Sequence, residues 1–364
     1  MSTKKDKFSL KDKKYMKLAL NLASGRKGLT GDNPSVGCVI VKNDKIISIG
    51  QTGYNGRPHA EYNAIKNCRK NLSNSTLYVT LEPCSHYGKT PPCVKKIIKS
   101  KVKKVFFSIK DPDQRSYNNS SKILKKKNIN VNIGAMSNKI KEFYKSYIIS
   151  RESKLPFVTC KLAVSKDLFT INKRKRWITN KYSRGRVHLM RSQHDSIITS
   201  SLTINKDNPT LNCRINGLKT TSPTIIILDN HLKVSIKSKV IKNNTIIFYN
   251  KFNKKKIKML NKAGVKTYKT TLNKKGDLNL KNVLIKIKKL GFYRIFLESG
   301  ITLASNFLKE NLVNDLKIYI SCSRLKNNGS GNINKLLKFF LKNKKYRVEK
   351  VNLFGDKLFS YKIK

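Results

Sequence analysis

The sequence predicts two successive domains of the α/β class. Strand and helix signals alternate along most of the 364 residues, and this alternation is typical of sheets covered by helices on both faces. A chain of this length is too long to fold around one ordinary hydrophobic core and is long enough for two domains with substantial buried cores. A polar stretch around 146–155 interrupts the alternation. We therefore expect one domain over 1–148 and a second over 155–364.

The first segment opens with a predicted helix from Lys11 to Ala23, where apolar residues recur at helical spacing before a stop signal at Gly25. Short apolar runs bounded by turn residues predict the strands that follow. The other elements expected here are strands 37–41 and 46–49 around a turn at 42–45, a helix from Pro58 through Cys68, strand 77–81, helix 92–99, strand 102–109, helix 123–127 and strand 129–133.

The second segment alternates in the same way. Its Ile- and Val-rich runs predict buried strands, and no repeat at solenoid spacing is visible. The expected elements are strand 157–164, helix 182–191, strands 196–199, 224–228, 245–248 and 294–297, helix 300–311 and strand 316–321.

Basic residues dominate the composition, because 79 Lys plus Arg stand against 20 Asp plus Glu for a formal net charge of +59. Basic surfaces attract phosphates, so a nucleic-acid-binding protein is one interpretation. The lysines are spread over every segment beside many Asn and Ile residues, whereas a nucleic-acid footprint clusters on one face. Since these three residue types share A/T-rich codons, we favour genome composition as the origin of the charge. The positive field would still attract phosphate esters.

The chain is expected to be cytoplasmic, without a membrane partner. No apolar run approaches the length of a membrane span, and no stretch suited to a secretory signal follows the first residues. The seven cysteines are odd in number and widely spaced. This distribution argues against a disulfide framework and for reduced thiols, some of which could bind metal.

Four residues indicate a metal-dependent site: His59, Glu61, Cys84 and Cys93. Zinc prefers imidazole and thiolate ligands in a tetrahedron, and a catalytic zinc keeps its fourth position for water. Zinc lowers the pKa of such a water towards neutrality. Glu61 follows His59 by two residues and is close enough to move protons, as in the His-x-Glu and Pro-Cys-x-x-Cys signature of zinc deaminases. The combination predicts a zinc-dependent deaminase acting on a pyrimidine-type ring.

Two other interpretations of this region are less favourable. Gly88-Lys89-Thr90 could belong to a phosphate-binding P-loop, but the upstream glycine of that motif is missing. His86 could be a fourth ligand, but a fourth protein ligand would close the catalytic position. We therefore expect His86 to form hydrogen bonds within its loop.

The spacing of the cysteines is unusual, since eight residues rather than two separate Cys84 from Cys93. The run Pro83-Cys-Ser-His-Tyr-Gly-Lys-Thr-Pro-Pro-Cys93 resembles the bacterial riboflavin-pathway deaminase family. Asn33-Pro-Ser-Val-Gly37 resembles the first motif of that family, and the pair His59–Glu61 lies where the family has its zinc ligand and proton shuttle. Three separated motifs in the right order make the resemblance specific.

The resemblance implies a cytidine-deaminase-like α/β/α sandwich, one zinc ion per chain and a diaminopyrimidinone ribosyl phosphate as substrate. It implies that Asn33 contacts the pyrimidine, while Lys89 and Thr90 hold the phosphate. Asp111 is kept from the family's Asp-Pro-Asn motif and is expected to contact the substrate too. We also expect the chain to form a homo-oligomer.

The rest of the chain resembles the reductase to which this deaminase is often fused. Four runs match in order: Arg176-Trp-Ile-Thr179, Arg191-Ser-Gln-His-Asp195, Asp207-Asn-Pro-Thr-Leu-Asn-Cys-Arg214 and Leu297-Glu-Ser-Gly-Ile-Thr-Leu303. The resemblance implies a fold similar to dihydrofolate reductase and hydride transfer from NADPH to C1 of the ribose. A glycine that opens a helix after a strand also makes an anion site for a cofactor phosphate.

Site residues of the reductase follow from the same resemblance. Arg191 and Arg214 are expected to grip the substrate phosphate, for which a bidentate guanidinium suits better than lysine. Asp207 is the expected catalytic carboxylate near the hydride. The remaining implied residues are Leu211 and Glu298 for the substrate, and Ala163, Trp177, Thr203, Asp207, Gly300, Ile301, Thr302 and Leu303 for the cofactor.

Some positions in both domains depart from the family. In the second domain, Leu168 replaces a permissive glycine, and the segment 323–326 lacks the late Lys-Leu-Leu-Gly motif. The loop at 172–176 is also shorter than in the family and lacks a substrate-contacting serine. In the first domain, Asp113 replaces an asparagine, and the residues at 118–120 replace the family's Gly-Arg-Gly.

Two alternatives therefore stay open. One is a deaminase with a degenerate, non-catalytic reductase domain. The other is a basic nucleic-acid-binding or tRNA/cytidine-editing deaminase, although such enzymes carry the two-residue cysteine spacing and need no second domain.

Overall fold

The computed structural model describes residues 7–364, and the chain divides into two compact units between Glu152 and Ser153. The α/β class expected from the sequence is confirmed in both units. Among the described residues, none of the helices combines the length and apolarity needed to cross a bilayer.

The N-terminal unit is a five-stranded sheet in the order β2-β1-β3-β4-β5 with helices packed against it. The β1–β2 hairpin and the β1–β3 pair are antiparallel, and β3, β4 and β5 run parallel. The strands are β1 Gly37–Lys42, β2 Lys45–Gln51, β3 Thr76–Leu81, β4 Lys104–Ile109 and β5 Asn130–Ile133, and the helices are α1 Leu10–Gly25, α2 Ala60–Lys66, α3 Cys93–Lys99, α4 Asn119–Lys126 and α5 Ser137–Glu152.

Local sequence explains how α1 begins and how it packs. Ser9 and Asp12 form a reciprocal capping box, in which each side chain accepts a hydrogen bond from the other residue's backbone N–H. At Gly37, a Cβ atom would lie 1.9 Å from the carbonyl oxygen of Ala19. The glycine therefore allows α1 to approach the start of β1 closely.

Two expectations in this unit are wrong in detail. The polar stretch at 146–155 is mostly helix, because α5 continues through it to Glu152. Ile140 and Tyr144 are buried on the inner side of α5, so polar residues on its outer side hid the helix. The helix expected from Pro58 through Cys68 begins at Ala60 and ends at Lys66, with His59 as its N-cap.

The C-terminal unit has a nine-stranded sheet in the order β11-β10-β9-β8-β12-β6-β13-β16-β15 and a small β14–β7 sheet. Its strands are β6 Phe157–Val164, β7 Phe169–Asn172, β8 Ser196–Ser200, β9 Thr224–Leu228, β10 Thr245–Tyr249, β11 Lys266–Lys269, β12 Arg294–Glu298, β13 Asp315–Ile320, β14 Gly329–Asn332, β15 Tyr346–Val348 and β16 Lys357–Lys362. Its helices are α6 Lys181–Ser192, α7 Ser201–Asp207, α8 Lys254–Lys262, α9 Leu280–Lys289, α10 Ile301–Lys309 and α11 Asn334–Leu341.

The central strands of this sheet are parallel and buried. β12 is inserted between β6 and β8, and all three run in the same direction. Their carboxyl ends therefore meet at one edge of the sheet, where ligands bind in open α/β sheets. The expected site residues Ala163, Thr203 and Gly300 follow or end these strands.

Candidate active sites

Three potential zinc ligands converge in the N-terminal unit. His59 precedes α2, Cys84 follows β3 and Cys93 is the first residue of α3. His59 Nδ1 lies 3.4 Å from Cys84 Sγ and 3.3 Å from Cys93 Sγ, and all three ligand atoms lie within 4.8 Å of one another. A tetrahedral zinc ion with ordinary Zn–S and Zn–N bonds separates such atoms by about 3.6 Å. The donor set and its spacing therefore fit zinc held by three protein ligands.

The two thiols differ in acidity. The Cys93 thiol and the Cys93 backbone N–H both donate to Cys84 Sγ, the latter at 3.2 Å. With His59, these hydrogen bonds lower the pKa of Cys84 to about 4 although burial opposes the shift. The pKa of Cys93 is raised, because its thiol donates to Cys84 and because it is buried. A cation among the three atoms would stabilise both thiolates.

Glu61 is a buried carboxylate beside these ligands. It lies in the first turn of α2 and is only 4% exposed. Burial raises the pKa of Glu61 to about 7, and the charge of Cys84 adds to this shift while His59 opposes it. A carboxyl group with such a pKa accepts and releases protons near neutral pH, as a general acid–base must.

Asn33 is held by the loop that leads to His59. Its Nδ2 donates to the carbonyl oxygen of Gly56 at 3.1 Å. Gly56 has a φ of +85°, and a Cβ atom at this position would lie 2.3 Å from Asn33 Nδ2. The glycine is therefore required both by the turn and by the carboxamide.

Replacement of Gly56 by alanine should destabilise the N-terminal unit by about 1–3 kcal/mol, because strain at φ is added to the overlap with Asn33. Deamination should fall in parallel. Gly276→Ala is the matched control, since Gly276 also has a positive φ of +78° but no heavy atom within 4 Å of the added Cβ. Urea unfolding of both variants separates the strain at φ from the overlap with Asn33. Equal losses in the free energy of unfolding would show that the overlap with Asn33 contributes nothing.

The polar residues of the loop between the two cysteines differ in their exposure to solvent. Lys89 is exposed and Thr90 half-buried. His86 Nδ1 lies 2.8 Å from the Oγ of buried Ser116. His86 therefore forms a hydrogen bond as expected, but its partner lies in the segment between β4 and α4 and not within its own loop.

Glu82 is a buried anchor beside the zinc ligands that the sequence interpretation missed. It is buried directly before the Pro83-Cys84 pair, where it accepts hydrogen bonds from Asp111 N at 3.2 Å, Asn118 N at 3.1 Å and Ser120 Oγ at 2.7 Å. Glu82 thus connects the Asp111 loop to the segment that leads from β3 to the zinc ligand Cys84. A carboxylate at the end of an otherwise apolar buried strand was the available signal.

Asp111 is buried and oriented by two hydrogen bonds. Its Oδ1 accepts from Tyr147 Oη and from Asp113 N, both at 3.0 Å. Burial raises the pKa of Asp111 to about 6. Asp113, which replaces the family's asparagine, is paired with Arg115 at 2.6 Å, and this pair lowers the pKa of Asp113 to about 2.

In the C-terminal unit, most of the expected cofactor residues gather at the carboxyl edge of β6, β8 and β12. Gly300 is the N-cap of α10, whose first turn contains Ile301, Thr302 and Leu303, and no side chain caps this helix. A Cβ atom at Gly300 would meet only Thr203 Oγ1, at 4.0 Å. The open space and the uncapped helix end fit a cofactor phosphate.

Trp177 and Asp207 are exposed beside the shortened loop. Trp177 is 51% exposed, and the guanidinium of Arg176 lies 5.0 Å from its ring centroid. The same guanidinium donates to the backbone oxygen of Asp207 at 3.1 Å. Arg176 therefore joins two expected site residues, a role that the sequence interpretation missed.

Arg191, which is expected to grip the substrate phosphate, is paired with Glu298, another expected site residue. Its Nε and Nη2 donate to both carboxylate oxygens of Glu298 at 3.0 and 2.9 Å, and its Nη1 donates to the Asn212 carbonyl at 3.0 Å. Both side chains are largely buried. Arg191 and Glu298 thus bind each other rather than facing a ligand separately. Salt-bridge partners 107 residues apart are not visible in a sequence pattern.

Leu211 and Arg214 lie on the loop after α7. Leu211 is buried and has a φ of +47°. This backbone conformation is strained for a residue with a branched side chain, and such strained residues cluster at binding sites. Arg214 is exposed, and its guanidinium contacts His188 of α6.

Both halves of the chain match known protein families. Residues 9–109 match the cytidine and deoxycytidylate deaminase zinc-binding region, and residues 156–325 match the RibD C-terminal domain. The fold and the sites therefore define a two-domain enzyme with a zinc-binding deaminase domain followed by a reductase domain.

Full-length relatives identify the family. The chain is 36% identical to the riboflavin biosynthesis protein RibD of Aquifex aeolicus over 85% of this chain and 86% of that one, and 30% identical to the Escherichia coli protein over 88% and 90%. The Acinetobacter baumannii RibD structure superposes with a TM-score of 0.83 at 28% identity, covering 97% of this chain and 98% of that one.

The chain belongs to the RibD family and is a bifunctional deaminase and reductase of riboflavin biosynthesis. The structure of a diaminohydroxyphosphoribosylaminopyrimidine deaminase/5-amino-6-(5-phosphoribosylamino)uracil reductase from Thermotoga maritima superposes with a TM-score of 0.80 at 27% identity and covers 97% of this chain and 98% of that one. Neither a nucleic-acid-editing deaminase nor a degenerate reductase is favoured by these relatives.

Proposed function

We propose that residues 1–148 deaminate 2,5-diamino-6-(5-phosphoribosylamino)pyrimidin-4-one and that residues 155–364 reduce the ribosyl group of the product to ribityl with NADPH. The observation that carries the first step is the convergence of His59, Cys84 and Cys93 beside buried Glu61. The two activities by which the Thermotoga maritima relative is named support this choice of substrates.

In the first step, water replaces the exocyclic amine, which leaves as ammonia. One zinc ion per chain, held by His59, Cys84 and Cys93, supplies Lewis-acid activation of water. Glu61 takes up the two protons of the water in turn, passing the first to the ring nitrogen and the second to the amine, which leaves as ammonia. Its pKa of about 7 suits both transfers near neutral pH.

The remaining residues of this domain bind and orient the substrate. Asn33, fixed by Gly56, contacts the pyrimidine, and Asp111, fixed by Tyr147, contacts the sugar. Lys89 and Thr90 on the cysteine loop hold the phosphate. Exposed Lys89 supplies the positive charge that a phosphate dianion requires.

In the second step, C1 of the ribose would receive a hydride from bound NADPH, and the sugar ring would open to a ribityl chain with uptake of a proton. The N-terminus of α10 at Gly300 would bind a cofactor phosphate, and exposed Trp177 would contribute a contact to the cofactor. Asp207 would be the carboxylate at the hydride-transfer site. Arg214 binds the substrate phosphate, while Arg191 fixes Glu298 and the Asn212 carbonyl.

The products distinguish the two steps. Purified protein given the diaminopyrimidinone phosphate alone should release ammonia and accumulate the ribosylaminouracil phosphate. Added NADPH should be oxidised while the ribityl compound forms. Deamination without NADPH oxidation would contradict the reductase assignment, and absence of both products from folded, zinc-loaded protein would contradict the whole proposal.

Loss of a zinc ligand should abolish the deaminase activity and leave the reductase activity intact. Cys84→Ser should lose stoichiometric zinc and with it measurable deamination, because a thiolate ligand is lost. NADPH oxidation with the deaminated substrate should remain. Cys68→Ser is the matched control, since Cys68 lies outside the group of ligands. Metal analysis of both variants checks the expectation, and equal zinc content would refute the ligand role of Cys84.

A further inference from the structure

His188 lies on α6 one turn before Arg191 and contacts the exposed Arg214. Its Nε2 lies 3.3 Å from Arg214 Nε and 3.2 Å from Arg214 Nη2. Its Nδ1 lies 3.0 Å from the Asn212 carbonyl oxygen. The same carbonyl accepts from Arg191 Nη1 at 3.0 Å. The imidazole therefore lies between a buried arginine and an exposed one.

These partners determine the protonation state of the ring. A guanidinium only donates hydrogen bonds, so Nε2 of His188 must accept from Arg214 with its lone pair. A neutral imidazole carries one N–H. Nδ1 lies 3.0 Å from the Asn212 carbonyl oxygen, which is its nearest partner, whereas the Arg214 backbone N–H lies 3.3 Å and Arg191 Nη1 3.5 Å from the same nitrogen. A proton on Nδ1 satisfies both the Asn212 carbonyl and the two Arg214 contacts at Nε2, and it leaves the longer contact of the Arg214 N–H without an acceptor on the ring. A second proton, on Nε2, would direct an N–H at the guanidinium and break both contacts to Arg214.

We propose that His188 is a positioning residue of the reductase, which in its neutral form holds the Arg214 guanidinium in the orientation that binds the substrate phosphate. The inference rests on the proposed function of Arg214. His188 engages Nε and one N–H of Nη2. The other guanidinium N–H groups of Arg214 stay available for a phosphate on the exposed side, where a preformed fork loses less entropy on binding.

The charges around the ring favour this neutral form. Arg191 on the same helix and Arg214 on the facing loop both present positive charge, and Glu298 on β12 presents a negative charge that is already paired with Arg191. Burial, followed by the two arginines, lowers the pKa of His188, although the Asn212 hydrogen bond and Glu298 oppose the shift. His188 is thus neutral at neutral pH and becomes protonated only on acidification.

The expected consequence is a pH-dependent affinity for phosphorylated substrate. In the wild-type protein, the reductase KM for 5-amino-6-(5-phosphoribosylamino)uracil should rise as pH falls, while kcat and the KM for NADPH change little. His188→Phe removes the acceptor and should raise this KM by about tenfold or more at neutral pH, since hydrogen bonds to charged groups are worth about 1.5–3 kcal/mol. The difference in KM between this variant and the wild type should shrink as pH falls, because protonation removes the same contacts from the wild type. His188→Gln keeps an acceptor oxygen without a titrating group, and its KM should stay within about threefold of the neutral wild-type value.

The assay runs from about pH 5.5 to about pH 8, the range in which imidazoles titrate. The substrate phosphate also gains a proton in this range, but it does so equally with wild type and His188→Gln. The difference between these two profiles therefore reports His188 alone. An unchanged KM for His188→Phe, or the same pH profile for wild type and His188→Gln, would overturn the proposal.

A spectroscopic measurement separates this inference from the proposed function. Nitrogen NMR of the wild-type imidazole at neutral pH should show a protonated Nδ1 and an unprotonated Nε2. The opposite tautomer or a charged ring would overturn the inference even in an active enzyme. A wild-type protein that never oxidises NADPH would instead contradict the proposed reductase, and the tautomer would still decide whether His188 holds Arg214.

Discussion

Replacement of Glu61 by glutamine is expected to lower the turnover number of deamination by at least two to four orders of magnitude, roughly the range that general acid–base catalysis contributes. The amide keeps the size of the side chain but cannot take a proton from water or return one to the leaving amine. Zinc should remain bound, because Glu61 is outside the group of ligand residues. Ammonia release and metal content, measured on the same preparation, check both statements.

The C-terminal domain provides an internal control. NADPH oxidation with the deaminated substrate should be unchanged in Glu61→Gln, since the substitution lies in the other compact unit. Glu152→Gln makes the same chemical change at an exposed position at the end of α5 and should leave deamination intact. Near-normal deamination by Glu61→Gln would show that this carboxylate is not the proton shuttle.

The zinc site could be predicted because its residues lie in short motifs. His59 and Glu61 are separated by one residue, and Cys84 and Cys93 flank a single loop, so two short motifs of the deaminase signature contain the three ligands and the proton shuttle. The anchor Glu82 was not predicted, since its partners are backbone and hydroxyl groups of a loop 29 to 38 residues further on. Hydrogen bonds to backbone amides leave almost no trace in residue identity.

Buried strands were easier to predict than the elements around them. Phe157–Val164 and Thr224–Leu228 were predicted with their observed limits, because parallel strands buried on both faces are continuous apolar runs. Helix α8 and strand β15 were missed. Six of the nine residues in α8 are Lys or Asn, and every residue of β15 is exposed. In so basic a chain, charge obscures the periodicity on which prediction depends.

Leu168, which replaces a glycine of the family, has a φ of +68°, in the left-handed region that a glycine adopts without strain. The turn is held by Ser165, whose carbonyl accepts from Leu168 N at 3.0 Å, and by Asp167, whose carboxylate accepts from Leu325 N and Lys326 N. Leu168 also packs partly against the core. Side-chain burial and these hydrogen bonds offset a strain of about 1–2 kcal/mol.

Arg191→Met is expected to destabilise the C-terminal domain by about 3–5 kcal/mol, because it leaves a buried carboxylate without its main partner. Burial opposes ionisation of Glu298, but Arg191 and then Lys161 lower the pKa of Glu298 from 4.5 to about 2. Lys161 Nζ lies 3.8 Å from Glu298 and compensates the lost charge only in part. In the wild type, the stabilisation that ionised Glu298 provides through Arg191 is complete above pH 4.5 and disappears as pH falls towards 2.

The double variant Arg191→Met/Glu298→Gln tests the cause, because it removes the uncompensated charge along with its partner. Urea unfolding should show the double variant recovering a large part of the loss of the single one. Arg347→Met in the same domain breaks an ion pair to Glu349 from a side chain that is 66% exposed, and it should cost less than about 1 kcal/mol. A double variant no more stable than Arg191→Met would mean that Arg191 stabilises the domain by packing and by its bond to Asn212, and not by neutralising Glu298.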